Sequence, residues 1–312
     1  MNKELNARPL AKKVFDLSSI AWECGYLKNN CGNFSLVPFK EQWLASFRLF
    51  GYFITSDIER YVYTKEMVLK NPDAHLFVLL DRNFSFVKHL PVIGNTYWQD
   101  PLHPNKTPYL EDMRIVNWGG ELYGSSSIFW QGDKGYIDFG LEVQRIKASE
   151  DGINLSHIWN TKEHGVAGVQ KNWLPIPDLQ FHYVTETSPT VANSYDIRTD
   201  TFYKNADIGQ DDLYRGNTPL LKCGDGYLTI CHKLTKDEFG RKRYLNYFVK
   251  YSKQLVPTRI SSPFKLCESN IEFVTTMLQQ GDSLLIGVTE ADESPWLLEF
   301  NADELLGIVN MK

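Results

Sequence analysis

Five times along this chain a run of strand-forming residues stops at a tight-turn signal and a second such run follows. The five units are Phe34–Phe39 with Trp43–Phe50, Met113–Trp118 with Leu122–Phe129, Trp173–Ile176 with Gln180–Thr185, Thr218–Lys222 with Tyr227–His232, and Glu272–Leu278 with Ser283–Val288. Their turns are Lys40-Glu41, Gly119-Gly120, Pro177-Asp178, Gly224-Asp225-Gly226 and Gly281-Asp282. Each unit reads as strand, turn, strand. Successive turns are roughly 50 to 80 residues apart, enough for about four strands per unit. Further strand pairs fall between them, around Tyr136–Ile146 and Leu245–Leu255. Five four-stranded units predict an all-β fold, a five-bladed β-propeller. A β-sandwich or two smaller β-domains are the alternatives. Helical periodicity is confined to residues 8–24 and 302–310, with a weaker stretch at Ser56–Leu69, so short helical segments are expected near the N- and C-termini. No linker or low-complexity tract interrupts residues 1–312, and a single domain is expected.

Composition narrows the function classes. The formal net charge of -5 argues against a nucleic-acid surface. No apolar run approaches the ~18 residues of a membrane span, and the first residues lack the apolar stretch of a signal peptide. The cysteines Cys24, Cys31, Cys223, Cys231 and Cys267 are odd in number and form no CxxC. Reduced thiols and a cytoplasmic protein are therefore expected. Aromatic residues reach 13%, which favours strands and suits stacking on sugar rings.

In a propeller the innermost strands begin near the central funnel. Every unit here opens on polar residues: Asn33, Glu111-Asp112, Lys171-Asn172, Asn217 and Glu272. Arg48, Glu186, His232 and the pair Glu290 and Asp292 stand near the ends of the returning strands. Converging strand ends would gather carboxylates, cations and a histidine in one cavity. Carboxylates serve sugar chemistry as acids or bases, and the cations suit a phosphate.

At these residues the chain resembles the five-bladed propeller enzymes that include the family 130 glycoside phosphorylases and the related family 108 mannosyltransferase/phosphorylases. Glu111-Asp112-Met113-Arg114-Ile115 resembles their Glu-Asp-Pro-Arg-Ile motif, and Gln170-Lys171-Asn172-Trp173-Leu174-Pro175 their Glu-Lys-Asn-Trp-x-Pro. The strand ending in His232, the following Arg243-Tyr244, and the stretches Ser261–Phe264, Ile271–Phe273 and Gly287–Asp292 are similar to their last blades. The resemblance covers about residues 110–300 and is loose before that, carried there only by Asn33 and Arg48.

The resemblance implies roles. Asp112 would be the general acid, with a raised pKa. Lys171, His232 and Arg243 would bind phosphate or the donor, with Arg114 and Tyr244 beside them. Asn33, Arg48, Asn172, Asn217 and Asp292 would hold sugar, and Glu272 is the second candidate catalytic carboxylate. Glu111 adjoins Asp112, but successive strand residues point to opposite faces. Met113 replaces the usual Pro, Gln170 the usual Glu, and Asn246 stands where relatives often carry His.

These departures favour a glycosyltransferase. It would move a sugar from a sugar-phosphate or sugar-diphosphate donor to a glycan acceptor, in bacterial surface-polysaccharide synthesis. An inverting, mannoside-type glycoside phosphorylase is the first alternative, and a non-catalytic glycan-binding propeller the second. Asp-x-Asp is absent, so no essential metal or cofactor is expected, and neither nucleic acid nor an integral membrane segment is implied.

Overall fold

The computed structural model describes residues 5–6, 8–23, 31–50, 53–55, 60–62, 74–99, 108–132, 135–164, 172–187, 190–196, 201–208, 215–240, 242–292 and 294–308. Among them the strands build five sheets of four or more strands and one two-stranded ribbon. The first sheet runs Cys31–Phe39, Gln42–Leu49, Ala74–Leu80, Phe86–Leu90. The second runs Tyr109–Trp118, Glu121–Gly132, Gly135–Ala148, Ile153–Asn160, with Val92–Asn95 added parallel at its edge. The third runs Leu174–Pro175, His182–Thr187, Thr190–Asp196, Thr201–Ile208. The fourth centres on Gly226–Lys236 and Lys242–Tyr251, and the fifth on Glu272–Gln280, Ser283–Glu290 and Ser294–Asn301.

The strands are apolar on both faces because both faces are covered. Along Ala74–Leu80, Leu76, Val78 and Leu80 pack toward the fifth sheet, while Phe77 and Leu79 pack toward the second. Alternate residues of one strand thus serve two cores. Further apolar clusters join the second sheet to the third, the third to the fourth, and the fourth to the fifth. The sheets therefore pack in a cycle, which is a propeller arrangement. The expected all-β character holds, and four of the turns fall where the sequence placed them: Phe39 pairs Gln42, Trp118 pairs Glu121, Cys223 pairs Gly226 and Gln280 pairs Ser283. The Pro177-Asp178 turn is longer, spanning Ile176 to Phe181 between paired strands.

The chain's two ends meet. Ala11–Val14 pairs antiparallel with Ser294–Asn301 as the outer strand of the fifth sheet, and Leu5–Asn6 pairs with Phe264–Lys265 in the fourth. This corrects the helical reading of residues 8–24, of which only Ser18–Glu23 is helix. All four residues of Ala11–Val14 are exposed, so an open sheet edge, rather than burial, selects the strand. The C-terminal helix is Ala302–Ile308, capped by Asn301, whose Oδ1 accepts the Glu304 amide at 2.9 Å. Residues 309–310 lie outside the described residues, as does most of Ser56–Leu69, where Arg60–Val62 is strand. Tyr136–Ile146 is not a pair but the interior of one strand. Leu245–Leu255 is the end of one strand and a turn leading to Pro257–Ile260.

Candidate active site

The innermost strands share one device. In the first sheet Gly32 pairs Arg48 and Ser35 pairs Ser46, so one extra residue is accommodated near Asn33, whose φ is 41°. In the second, Glu111 pairs Ser127 and Arg114 pairs Ser125, and Asp112 has φ 47°. Asn172, ahead of the third sheet, has φ 60°. The fourth sheet breaks register after Gly216, and the amides of Asn217 and Thr218 both donate to the Ile230 carbonyl. The fifth breaks at Thr275. Such bulges bend the strand and re-aim its side chains. Asn and Asp are the side-chain-bearing residues that best tolerate the left-handed conformation. The same backbone irregularity thus accounts for Asn33, Asp112 and Asn172 at these strand starts.

The re-aimed side chains touch one another across sheets. Arg48 donates through Nη1 to Asp112 Oδ1 at 3.0 Å and through Nη2 to Glu111 Oε1 at 2.9 Å. Neighbouring carboxylates expected on opposite faces therefore share one guanidinium, because the bulge turns Asp112 round. Asn33 Nδ2 also donates to Asp112 Oδ1, at 3.0 Å. Arg114 is buried and spans sheets: Nε donates to the Asn217 carbonyl (2.9 Å), Nη1 to the Asp112 carbonyl (3.1 Å) and Nη2 to Asn172 Oδ1 (3.4 Å). Asn217 Oδ1 meets His232 Nδ1, and its Nδ2 donates to Asn246 Oδ1 at 3.3 Å. Asn246 Nδ2 donates to Glu272 Oε1. The ring closes where the Asn33 amide donates to Thr289 Oγ1 of the fifth sheet at 2.6 Å.

Met113 also finds a reason. Its amide donates to His75 Nε2 at 3.1 Å, a bond that a proline, having no N–H, could not make.

Charge states follow from these contacts. Burial pushes the Asp112 carboxyl up, but Arg48, Arg114 and the Asn33 and Arg48 hydrogen bonds outweigh it and hold its pKa below the usual value. This overturns the expected upward shift: in the resting site Asp112 is ionised. Burial, reinforced by Arg215 and Arg114, lowers His232 to about 3 against the opposing charge of Asp112. Burial and Arg48 lower His75 to about 3 as well. Burial raises Tyr244 to about 12, helped by Asp292. Both histidines are neutral at pH 7, whereas an unfolded imidazole takes up a proton near 6.5. Between those values the unfolded chain binds more protons, so stability is expected to fall as pH drops from 6.5 toward 3. The slope is about 1.4 kcal/mol per pH unit for each histidine. Urea unfolding at pH 6.5, 5.5 and 4.5 reads it, and a midpoint that does not move over this range would contradict the assignment.

Glu272 is fully buried, and its carboxylate accepts from the Leu266 amide (3.1 Å to either oxygen), the Cys267 amide (2.9 Å), Cys267 Sγ (3.1 Å) and Asn246. Its acceptor sites are filled. Glu272→Gln would turn an amino group against backbone donors and is expected to cost about 1–3 kcal/mol of stability. Denaturant unfolding measures it, and an unchanged midpoint would refute the placement.

The network therefore joins Asn33, Arg48, Asp112, Arg114, Asn172, Asn217, His232 and Glu272. Tyr244 packs on His232 with ring centroids 4.7 Å apart and the ring planes tilted by 36°, and Asp292, with φ 58°, acts on Tyr244 by its charge. Lys171 lies outside the described residues. Arg243 pairs Thr235, three positions beyond His232, and so occupies the face of the sheet opposite Asn246, Tyr244 and His232. Sequence reasoning missed His75, the cross-strand partner of Arg48, and Arg215, the cross-strand partner of His232. Among the described residues no group of three His, Cys, Asp or Glu side chains could hold a metal ion.

No protein-family model matches the chain, and no curated protein matches it by sequence. Solved structures do match in shape. The β-1,2-mannobiose phosphorylase of Listeria innocua has a TM-score of 0.59 at 13% identity, covering 98% of this chain and 96% of that one. A mannose phosphorylase from Leishmania mexicana, in complex with phosphate, has 0.55 at 10% identity, covering 91% and 92%. A GDP-Man-dependent mannosyltransferase from the same organism has 0.51 at 10% identity, covering 87% and 85%. This chain has their fold. The likeness spans nearly the whole length of the phosphorylases, including the first hundred residues, where the sequence resemblance is loose.

Proposed function

We propose that the protein is a carbohydrate-active enzyme built as one five-bladed propeller domain over residues 1–312. It transfers a glycosyl group from a phosphate-activated donor to a glycan hydroxyl. The observation that carries this reading is the ionised Asp112, held by Arg48 and Asn33 at the centre of the polar ring. A carboxylate held ionised accepts a hydrogen bond from an incoming hydroxyl and can take its proton as the anomeric carbon is attacked. The donor's phosphate leaves with the electron pair of the broken bond. Arg215, beside His232 and Tyr244, and Lys171 would hold that anion.

The phosphorylase reading is the reverse reaction, with Asp112 delivering the proton. It is favoured by phosphorylases of the same fold in Listeria and Leishmania. A panel of sugar 1-phosphates and nucleotide sugars, including mannose 1-phosphate and GDP-mannose, would be incubated with mannoside acceptors and assayed for phosphate or nucleotide release. The converse assay supplies β-1,2-mannobiose and phosphate. No turnover in either direction would sink both enzyme readings and leave a glycan-binding propeller. Arg215→Ala is expected to weaken donor binding about tenfold or more, and unchanged affinity in calorimetry would remove Arg215 from the donor site.

A further inference from the structure

Glu272, Asn246, Asn217 and His232 stand in single file between the fifth and fourth sheets, none more than 2% exposed. Their hydrogen bonds point one way with Glu272 ionised: burial raises its pKa, and the donors from Cys267 and Leu266 oppose that rise. The amides of Leu266 and Cys267 donate to the Glu272 carboxylate and fix it as an acceptor. Asn246 must then turn its Nδ2 to Glu272 and its Oδ1 to Asn217. Asn217 must donate through Nδ2 and offer Oδ1 to His232. An amide oxygen facing Nδ1 requires the proton there. His232 Nε2 has no hydrogen-bond partner among the described residues, although the ring is buried between Tyr244 and Phe273, at centroid distances of 4.7 and 5.4 Å.

We infer that Glu272, Asn246 and Asn217 are a positioning relay that fixes the His232 proton on Nδ1, so that Nε2 faces the site as an acceptor and takes a hydroxyl of the carbohydrate rather than a phosphate oxygen. The phosphate of a sugar phosphate donor, as the ester dianion ROPO3²⁻, brings no proton and would meet Nε2 lone pair to lone pair. Burial and the nearby arginines keep the ring neutral at pH 7, so it offers no second N–H. The hydroxyl assignment rests on the proposed carbohydrate function, whereas the relay stands on geometry alone. It differs from the phosphate-binding role that the sequence resemblance implies for this histidine. It also accounts for Asn246, whose amide carries both the donor and the acceptor that passing the polarity on requires.

Nitrogen NMR of the full chain, labelled with ¹⁵N in the histidine rings, tests the relay. At pH 7 the His232 signals are expected to show a protonated Nδ1 and a bare, pyridine-like Nε2, and an Nε2–H tautomer or an imidazolium would overturn the relay. In Asn246→Leu the Asn217 amide is free to rotate, and a mixture of tautomers is expected; an unmixed Nδ1–H form there would overturn the relay's dependence on Asn246. D-mannose is then expected to shift Nε2 toward the hydrogen-bonded range, and methyl phosphate at pH 8, a dianion with no O–H, to leave it in place. A shift induced by methyl phosphate without a mannose-induced one overturns the hydroxyl assignment. If no sugar binds or turns over while the Nδ1–H tautomer is observed, the functional reading fails and the relay holds.

Discussion

Arg48→Ala is expected to destabilise the protein by about 3–5 kcal/mol, the cost of leaving buried charge without its partner. Arg48 bridges Glu111 and Asp112 with side-chain exposures of only 5%, 16% and 13%, and its guanidinium also lies 4.7 Å from the centre of the Phe50 ring. Without it two adjacent carboxylates face one another in a partly dry site, and Asp112 is expected to take up a proton. Arg48→Lys keeps the charge but not the two-pronged geometry, and should recover part of the loss. The measurement is urea unfolding of the two variants at pH 7. Equal stability of Arg48→Ala and the parent chain would mean that the bridge contributes nothing. The sign with pH is fixed too. Because Asp112 is depressed below its unfolded value, its stabilisation is present above about pH 4 and lost as pH falls through the folded value.

Asp112→Asn is expected to lower turnover by about 10²–10⁴-fold, the usual worth of a positioned proton transfer, with the fold intact. The amide keeps the size of the side chain and an oxygen for Asn33 or Arg48. It cannot take a proton from an acceptor hydroxyl. Glu272→Gln serves as the comparison, because its side chain is enclosed by backbone donors and is expected to lose stability before it loses chemistry. If Glu272→Gln abolished turnover at full stability while Asp112→Asn remained active, the proton transfer would belong to the fifth sheet. Turnover is read with whichever donor releases phosphate or nucleotide, and circular dichroism confirms that each variant is folded.

Much of the fold was legible because turn chemistry is local. Gly119-Gly120 and Gly281-Asp282 announce their hairpins without help from the rest of the chain, with φ of 63° and 87° at the first pair and 59° at Gly281. The N-terminal strand was not legible, since Ala11–Val14 carries no alternation of its own and is chosen by an edge some three hundred residues away. The described polar strand starts, Lys171 not being among them, do lie on one connected network. Their geometry could not be read, because a bulge reverses the facing of everything near it. Hence Glu111 and Asp112 share Arg48, and the pKa of Asp112 moves down instead of up. The facing of Arg243 has the complementary cause: its strand pairs regularly with Gly226–Lys236, and strict alternation sets it opposite Tyr244 and Asn246. Arg215 could have been found from its place just ahead of Gly216-Asn217, had the register with His232 been known.

The joining of the chain's ends also bears on the order of assembly. Ala11–Val14 leaves the ribosome long before its partner strand, Ser294–Asn301. Asn33 likewise waits for Thr289, 256 residues downstream. Contacts of such sequence separation form late and slowly. During synthesis the first sheet is therefore left with one apolar face uncovered until the fifth arrives, a period in which chaperones or aggregation compete for it. The polar centre is completed by that same event, so a chain stalled short of the hairpin of Glu272–Gln280 and Ser283–Glu290 would hold the earlier strands and no finished site.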